Sequence, residues 1–281
     1  MKISIIGTGH MGLAMLSRLN TAPFECMAYN RSPERLNDLP DGVVSTGDIT
    51  EAISFAEVAI FIVSDADAIL SLLDGQNLTN KIILQMGTIA PDQSLQCADT
   101  VTNMGGQYLE APVLGSIPES AAGTLLIMTG GDNATFERCQ PILQRLGKSV
   151  RHIGSVGQAA AIKLALNQLI ASLTSAFSLT VGFLQNNQLE IDPFMEILRE
   201  SALYAPTFDK KLQKMLDRDF ESANFPMQHL LKDVGLFLQS PATKPLDSRF
   251  LESIQQTLID ATPEYSQHDY SALYNQVNPK V

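Results

Sequence analysis

Short apolar runs alternate with helix-like segments through the first half of the chain. The run at residues 58–63 is apolar at every position, as a parallel strand buried on both faces requires. Strands that alternate with helices predict a doubly wound α/β sheet, in which ligands bind at the carboxyl ends of the strands. The predicted strands are residues 2–6, 26–29, 58–63, 81–86, 107–113 and 125–131, and the predicted helices between them include residues 51–55 and 68–73.

The hydrophobic pattern changes near Gly154. Residues 157–185 are apolar or small on most faces, which predicts one helix of roughly 40 Å that is buried inside a second domain or between subunits. An α/β domain at residues 1–155 and an all-helical domain at residues 156–281 are therefore predicted, with the second serving substrate binding and dimerisation. Further helical patterns in that domain cover residues 193–201, 209–216, 227–238 and 248–259.

A glycine-rich turn follows the first predicted strand directly. Gly7, Gly9 and Gly12 have the Gly-x-Gly-x-x-Gly spacing, with His10 and Met11 between the last two. The first glycine permits a tight turn, the second lets backbone N–H groups approach a pyrophosphate, and the third allows the helix to pack closely on the strand. The helix N-terminus adds unpaired N–H groups and a positive dipole end. The turn therefore predicts a dinucleotide-binding site.

The end of the second strand indicates which dinucleotide binds. A site for NAD usually carries Asp or Glu about 20 residues past the glycines, where the carboxylate accepts hydrogen bonds from the ribose. This chain has Asn30, Arg31 and Ser32 instead. The guanidinium of Arg31 and the hydroxyl of Ser32 suit a 2′-phosphate, which a carboxylate would repel. We predict NADP(H) as the cofactor; the alternative is that Arg31 is a solvated loop charge and that both cofactors are accepted.

Residues after two later strands complete the predicted cofactor site. Val63 ends one predicted strand, Ser64 follows it, and Thr88 follows the next strand, at the sheet edge where the glycine turn is expected. Asp65 and Asp67 lie nearby, but aspartate at the start of a helix is more often a cap than a metal ligand. No metal site is predicted, because the histidines also lack metal-ligand spacing.

Two polar residues interrupt the apolar pattern of the long helix. Lys163 and Asn167 are four residues apart and therefore project from one helix face. Apolar surroundings lower the pKa of a lysine towards the range in which it exchanges protons near neutral pH. Reduction of a carbonyl needs such a proton donor, and the asparagine amide can hold the lysine or a substrate oxygen. The alternative is a lysine whose stem covers apolar surface while its ammonium reaches water.

The net charge and the cysteine content limit the binding partners and the cellular compartment that we expect for this chain. The net charge of −11 over 281 residues argues against a surface that binds nucleic acid or anionic membrane. Cys26, Cys97 and Cys139 are odd in number and far apart, so we expect reduced thiols rather than disulfides or a zinc site. The chain opens on a strand without a leader, and no apolar run is expected to approach the ~20 residues of a bilayer span. A cytoplasmic protein is the expectation.

The motifs of this chain, taken together, resemble the β-hydroxyacid dehydrogenase family. This family includes 3-hydroxyisobutyrate dehydrogenase, tartronate semialdehyde reductase and the glyoxylate/succinic semialdehyde reductases. The motifs span nearly the whole chain in order. They are residues 7–12, residues 110–116 continuing to 123–125, Gly157 with Lys163 and Asn167, Phe225 with residues 232–233, and residues 268–273.

The resemblance implies an N-terminal Rossmann domain, an all-helical C-terminal domain and a site between them. It implies that Lys163 is the catalytic acid/base, that Asn167 positions the substrate and that Lys232 contacts the substrate carboxylate. Phe225 is expected to belong to the substrate site as well. The alternative for Lys232 is an exposed ion pair with Asp233, which we expect to be structural.

One segment departs from the pattern of the family. Members commonly have Ser-Gly-Gly where this chain has Leu114, Gly115 and Ser116. An apolar side chain therefore replaces a hydroxyl that would bind substrate, and the backbone N–H groups around Gly115 and Ser116 are expected to receive a carboxylate. Succinic semialdehyde fits Leu114 no worse than glyoxylate does.

The sequence as a whole predicts an NADPH-dependent reductase of small, carboxylate-bearing aldehydes, with a lysine as acid/base. The alternatives are an NADP-dependent dehydrogenase of the 3-hydroxyisobutyrate or tartronate semialdehyde type, an imine reductase, and an NADP-binding sensor without catalysis. Lys163 favours carbonyl over imine chemistry, and the presence of both Lys163 and Asn167 argues against the sensor. A homodimer or homotetramer is expected, because the long apolar helix suggests a core shared by two chains.

Overall fold

The computed structural model describes residues 1–21 and 23–279. The chain forms two compact units, Met1–Lys163 and Leu164–Val281. The first unit contains a sheet with helices and the second is helical, so the predicted Rossmann-type domain followed by a helical region is confirmed. The first unit ends inside the long helix. The boundary at residue 155 rests on the change in composition and stays a prediction.

The sheet of the first unit has nine strands within the described residues. The strands are β1 (Lys2–Ile6), β2 (Glu25–Tyr29), β3 (Val44–Thr46), β4 (Val58–Phe61), β5 (Ile82–Gln85), β6 (Gln107–Glu110), β7 (Val113–Leu114), β8 (Leu125–Gly130) and β9 (Gly147–Gly154). Their order is β3-β2-β1-β4-β5-β6-β8-β7, with β9 beside β8. The order reverses between β1 and β4, the position at which doubly wound sheets bind ligands.

Alternate residues of the central strands enter two separate cores. Ile5 and Ile60 belong to one cluster of buried side chains, whereas Ile6 and Phe61 belong to another, and all four are fully buried. Successive side chains of a strand point to opposite faces, so both faces of this sheet are covered. This double burial explains why the central strands are apolar without interruption.

Helices flank the sheet and form the second unit. Helix α7 begins in the first unit and continues into the second. Short 3-10 turns occur at Pro33–Leu36, Pro241–Thr243 and Tyr270–Ala272. The α-helices are α1 (His10–Leu19), α2 (Ile49–Phe55), α3 (Ala66–Leu73), α4 (Pro91–Asn103), α5 (Ile117–Ala122), α6 (Asn133–Leu146), α7 (Gln158–Asn186), α8 (Ile191–Glu200), α9 (Pro206–Asp217), α10 (Met227–Gln239), α11 (Arg249–Tyr265) and α12 (Leu273–Val277).

The single strand predicted at residues 107–113 is wrong. Strand β6 ends at Glu110 and pairs parallel with β5, whereas β7 starts at Val113 and pairs antiparallel with β8. Pro112 lies between them, and its missing N–H group cannot continue a ladder. The break separates the end of β6 from the segment that contains Leu114.

Helix α7 is less buried than its apolar sequence predicts. Leu169 is 50% exposed, and Leu179 and Phe183 are each 64% exposed. The expectation that the helix is buried nearly all round inside its domain is therefore wrong, and a contact between subunits stays a prediction. By length and composition this helix could also cross a membrane, with a mean hydropathy of 1.4 in a window that is 39% buried. The expectation that no apolar run approaches the length of a bilayer span is wrong to that extent, although core helices pass the same criterion.

Candidate active site

The three glycines of the N-terminal turn are required for different reasons. Gly7 has a φ of +106°, and a Cβ atom there would lie 2.5 Å from the carbonyl oxygen of Ile62. A Cβ atom at Gly12 would lie 2.0 Å from the carbonyl oxygen of Gly7. At Gly9 a Cβ atom would meet nothing within 4 Å. The fold therefore requires Gly7 and Gly12, whereas Gly9 leaves space above the start of α1.

A cavity of about 540 Å³ opens beside this turn. It lies where the strand order reverses, since Ile62 after β4 donates its N–H to the carbonyl of Ile6 at the end of β1. The open side of Gly9 and the N-terminus of α1 fit a pyrophosphate, so the residues present fit a dinucleotide cofactor. The lining includes seven residues of the predicted cofactor site, namely Gly7, Gly9, Asn30, Arg31, Ser32, Val63 and Ser64, together with Tyr29, Ile62, Asp65, Asp67, Ala68, Ser71 and Leu72.

Four residues of the predicted cofactor site are not among those lining the cavity. Gly12 is buried beneath the turn, and His10 and Met11 start helix α1. Thr88 follows β5. Their roles towards a cofactor stay predictions.

Thr8 holds the glycine turn against the loop after β2. It is fully buried, and its hydroxyl donates to the carbonyl of Arg35 at 2.9 Å. The same oxygen accepts a hydrogen bond from the side-chain amide of Asn30 at 2.9 Å. Asn30 Oδ1 in turn accepts from the N–H of Ser32 at 3.0 Å. Sequence reasoning missed this role of Thr8, because the Gly-x-Gly motif leaves that position unspecified.

Charges of both signs border the cavity. Arg31 is exposed on the β2 side. Asp65 lies on the opposite border and accepts hydrogen bonds from the N–H of Ala68 at 2.8 Å and the hydroxyl of Ser64 at 2.6 Å. The predicted capping role of Asp65 is therefore confirmed. The guanidinium of Arg31 is on the side where a 2′-phosphate is expected, past the end of strand β2.

A chain of polar contacts connects the two predicted functional residues of the second unit. Asn167 is fully buried, and its amide donates to Asp233 Oδ2 at 2.6 Å. Asp233 is 2% exposed, and its Oδ1 lies 3.1 Å from the Nζ atom of Lys232. The ion pair expected as the alternative for Lys232 therefore exists, but one partner is buried. Asp233 orients both side chains, which is more than the purely structural role expected for it.

Lys163 lies one turn before Asn167 on helix α7. It is buried, with 9% of the residue exposed. Charged lysines are seldom buried in this way without a specific environment. Lys163 and Asn167 thus share a helix face in the structure as the spacing predicts. Their roles in catalysis stay predictions.

The segment after β7 differs from its predicted role in one respect. The N–H group of Ser116 donates to the carboxylate of Glu119 at 2.8 Å, and the Ser116 hydroxyl donates to the same oxygen at 2.7 Å. The prediction that this N–H group receives a substrate carboxylate is therefore wrong, because Glu119 already occupies it. Gly115 has a φ of +130°, and Leu114 is half-buried.

Phe225 and His229 lie near the candidate residues of helix α10 in the sequence. The ring of Phe225 meets Tyr270 edge-on at 5.7 Å between centroids, and its place in a substrate site stays a prediction. Burial lowers the pKa of His229, and the neighbouring Lys232 lowers it further. His229 is thereby disfavoured as a cation next to Lys232.

The three cysteines are buried in apolar clusters, and the described residues contain no group of side chains suited to a metal ion. Burial raises the pKa of Cys26 and Cys97 to about 11 and that of Cys139 to about 12. All three are free thiols, and their raised pKa values make them poor nucleophiles. Within residues 1–21 and 23–279, no group of three or more His, Cys, Asp or Glu side chains could hold a metal ion.

Two family models match successive parts of the chain. Residues 2–154 match the NAD-binding domain of 6-phosphogluconate dehydrogenase. Residues 157–277 match the NAD-binding domain of NADP-dependent 3-hydroxyisobutyrate dehydrogenase. The two matches meet between β9 and the start of α7.

Characterised relatives and solved structures agree with these matches. Glyoxylate/succinic semialdehyde reductase 1 of Arabidopsis thaliana is 31% identical over 245 residues, which cover 85% of this chain and 84% of the relative. The 2-hydroxy-3-oxopropionate reductase of Escherichia coli is 29% identical over 282 residues, covering 97% and 96%. The structure of 3-hydroxyisobutyrate dehydrogenase from Mycobacterium tuberculosis has a TM-score of 0.89 at 19% identity, with 98% of each chain covered.

Proposed function

Since the chain belongs to the β-hydroxyacid dehydrogenase family, whose members are NAD(P)-dependent oxidoreductases that act on CH–OH groups, we propose that it reduces small aldehyde acids to hydroxy acids. The cofactor of the chain is NADP(H). Succinic semialdehyde and glyoxylate are the proposed substrates. The observation that carries the proposal is the buried Lys163, which lies one helical turn before Asn167. Asp233 accepts a hydrogen bond from the Asn167 amide and fixes its orientation.

The reaction needs one hydride and one proton for each carbonyl group. When bound, NADPH supplies the hydride. Lys163, which is 9% exposed, gives its proton to the carbonyl oxygen as the general acid. Asn167 directs its amide towards the same oxygen while Asp233 restricts its rotation. Positioning of the reacting groups supplies a large part of the rate.

Recognition of the acid group is proposed to depend on Lys232. Its side chain is 28% exposed, and the buried Asp233 holds the position of its ammonium group at 3.1 Å. The negative Glu119 beside Ser116 makes that end of the loop unsuited to an anion. The half-buried Leu114 is then available to contact the carbon chain of the substrate rather than its carboxylate.

Three alternatives use the same residues differently. A dehydrogenase of the 3-hydroxyisobutyrate or tartronate semialdehyde type would work preferentially on hydroxy acids, an imine reductase would reduce ketimines, and a sensor would bind NADPH without turnover. Lys163 supports carbonyl chemistry, because protonation of a carbonyl oxygen needs a general acid. Substrate panels of the three types separate these alternatives.

The test follows oxidation of NADPH and of NADH with glyoxylate, succinic semialdehyde, tartronate semialdehyde, methylglyoxal and a ketimine. Lys163→Ala is expected to lower kcat by about 10²- to 10⁴-fold without changing the Kd of NADPH, because it removes general acid catalysis alone. Lys148→Ala, which removes an exposed lysine of β9, is the matched control and should retain full activity.

Near-normal turnover by folded Lys163→Ala would show that another group donates the proton. Turnover of ketimines alone would establish the imine reductase. Tight NADPH binding with no turnover on any carbonyl or hydroxy acid would establish the sensor.

A further inference from the structure

Glu110 is the last residue of strand β6, and its side chain binds the first turn of helix α7. It is fully buried, and its Oε1 atom accepts hydrogen bonds from the N–H groups of Ala159 at 2.8 Å and Ala160 at 3.3 Å. Its other oxygen accepts from the hydroxyl of Ser94, which lies 2.9 Å from the Tyr108 hydroxyl. The carboxylate is thus held on both sides.

The space that the Glu110 side chain occupies depends on a glycine at position 130. A Cβ atom on Gly130 would lie 2.4 Å from Glu110 Oε1 and 2.7 Å from the carbonyl oxygen of Ser155. Only glycine at position 130 leaves Glu110 its present place. The first N–H groups of a helix have no partner within the helix and are usually capped by a residue just before it. Here the cap comes from a strand some 50 positions earlier in the chain.

The capped turn leads directly to Lys163. Ala159 is four residues before Lys163, so the capped N–H group and the lysine lie one turn apart on α7. Glu110 is also followed immediately by the segment that leads to Leu114. The carboxylate of Glu110 thus fixes the start of helix α7, which bears Lys163, relative to the end of strand β6. Ser94 prevents the carboxylate from rotating away.

We infer that Glu110 is a positioning residue that sets the place of Lys163 relative to the end of strand β6. The inference rests on the proposed function, in which Lys163 donates the proton. The bonds to Ala159 and Ala160 need only an oxygen acceptor, so a glutamine can replace the glutamate if its amide nitrogen turns towards Ser94. A methionine of similar length offers no comparable acceptor.

The experiment compares Glu110→Met with Glu110→Gln in the full chain. Glu110→Met is expected to lower kcat about 10- to 100-fold with an unchanged Kd for NADPH, because a displacement of about 1 Å can cost that much in rate. Glu110→Gln should retain kcat to within about threefold, which a requirement for charge would not allow. Asp132→Ala is the matched control: it removes the cap of α6 in the same unit, and should lower thermal stability but not kcat.

A double-mutant cycle with Lys163→Ala separates positioning from general structural damage. If Glu110 acts through Lys163, Glu110→Met should change the residual rate of Lys163→Ala by less than about twofold. Ala159→Pro tests the same contact from the donor side, since proline is tolerated in the first turn of a helix but has no N–H group. It should reproduce the loss of kcat even where Glu110→Met does not fold.

Different results would overturn the positioning role of Glu110 and the proposed function. Unchanged kcat in folded Glu110→Met, or equal losses with and without Lys163, would overturn the positioning role while leaving the reductase proposal intact. Normal turnover by Lys163→Ala would overturn the proposed function first, whatever the Glu110 variants do.

Discussion

Single hydroxyl and guanidinium groups set the shape of the cofactor cavity. The Thr8 hydroxyl joins the glycine turn to Asn30 and to the carbonyl of Arg35. Thr8→Val keeps the volume but loses both hydrogen bonds, so we expect the free energy of unfolding to fall by about 1–2 kcal/mol. The KM for NADPH should rise about fivefold or more, because the loop that bears Arg31 loses its anchor. Steady-state kinetics and urea titration measure the two effects.

Thr8→Ser is the control for this change, since it retains the hydroxyl and should stay close to the parent in KM. An equal loss in both variants would show that the two hydrogen bonds alone do not explain the effect of Thr8→Val.

Arg31 is the residue by which NADPH should be distinguished from NADH. Arg31→Asp is expected to raise the KM for NADPH by about 10- to 100-fold, as for loss of a charge-assisted hydrogen bond of about 1.5–3 kcal/mol. The KM for NADH should change little. Arg249→Asp, in the second unit, changes the net charge equally and should leave both values unaltered. Equal changes for the two cofactors with Arg31→Asp would remove the role of the 2′-phosphate.

At the residue scale, motif spacing predicted half of the cavity lining but not the contacts that support it. Gly7, Gly9 and Arg31 follow from a strand-turn-helix pattern with known ligand geometry. Asp233 could not be placed in the same way. Its carboxylate meets Asn167, which is 66 positions away in the chain, and no local pattern encodes such a contact.

The glycine turn offers a test at the scale of one element. Gly9→Ala is expected to leave the fold intact, because its Cβ atom meets nothing within 4 Å and its φ of −70° suits alanine. It should weaken NADPH binding by at least about tenfold, since the new methyl group occupies the space that backbone glycine leaves for a pyrophosphate. Fluorescence titration with NADPH measures the affinity.

Gly12→Ala should behave differently in the same experiment. Its Cβ atom would lie 2.0 Å from the carbonyl oxygen of Gly7, so helix α1 must move away from the turn. Thermal stability and NADPH affinity should therefore fall together. Full stability in Gly12→Ala would contradict the close packing inferred for this helix.

Elements whose pattern is amphipathic or interrupted were harder to predict than buried ones. Strand β4 was recognised because both of its faces are covered. Strand β9 was missed, since it is half-buried at the sheet edge and carries Lys148, Arg151 and His152 among its eight residues. A polar strand of this kind owes its conformation to pairing with β8, which is a tertiary effect.

The stability of the whole molecule depends on pH, and Glu110 contributes to this dependence in a direction that its pKa shift determines. Burial raises the pKa of Glu110 above its ordinary value of 4.5, although hydrogen bonds from Ser94 and from backbone N–H groups of α7 oppose this. The folded protein then binds the proton more tightly than the unfolded chain does. Its free energy of unfolding therefore falls as pH rises from 4.5 to the raised pKa, above which this loss is complete.

Glu110→Gln should remove this contribution. Urea titrations of both proteins across the acidic range should show the variant gaining in stability relative to the parent as pH rises. Tyr108 stays neutral throughout, because burial keeps its pKa well above 10. Asp132 has a lowered pKa and the opposite sign, but it is present in both proteins and cancels. A constant difference at all pH values would show that Glu110 does not titrate differently in the folded state.

The cap at the start of α7 also determines how far a dinucleotide-binding fragment must extend. A fragment that stops at residue 155 keeps every strand of the sheet but lacks the N–H groups of Ala159 and Ala160. The carboxylate of Glu110 would then keep the hydroxyl of Ser94 but lose both backbone donors, and the loss of hydrogen bonds to a charged group is destabilising. The smallest autonomous nucleotide-binding piece is therefore longer than its sheet by one helical turn.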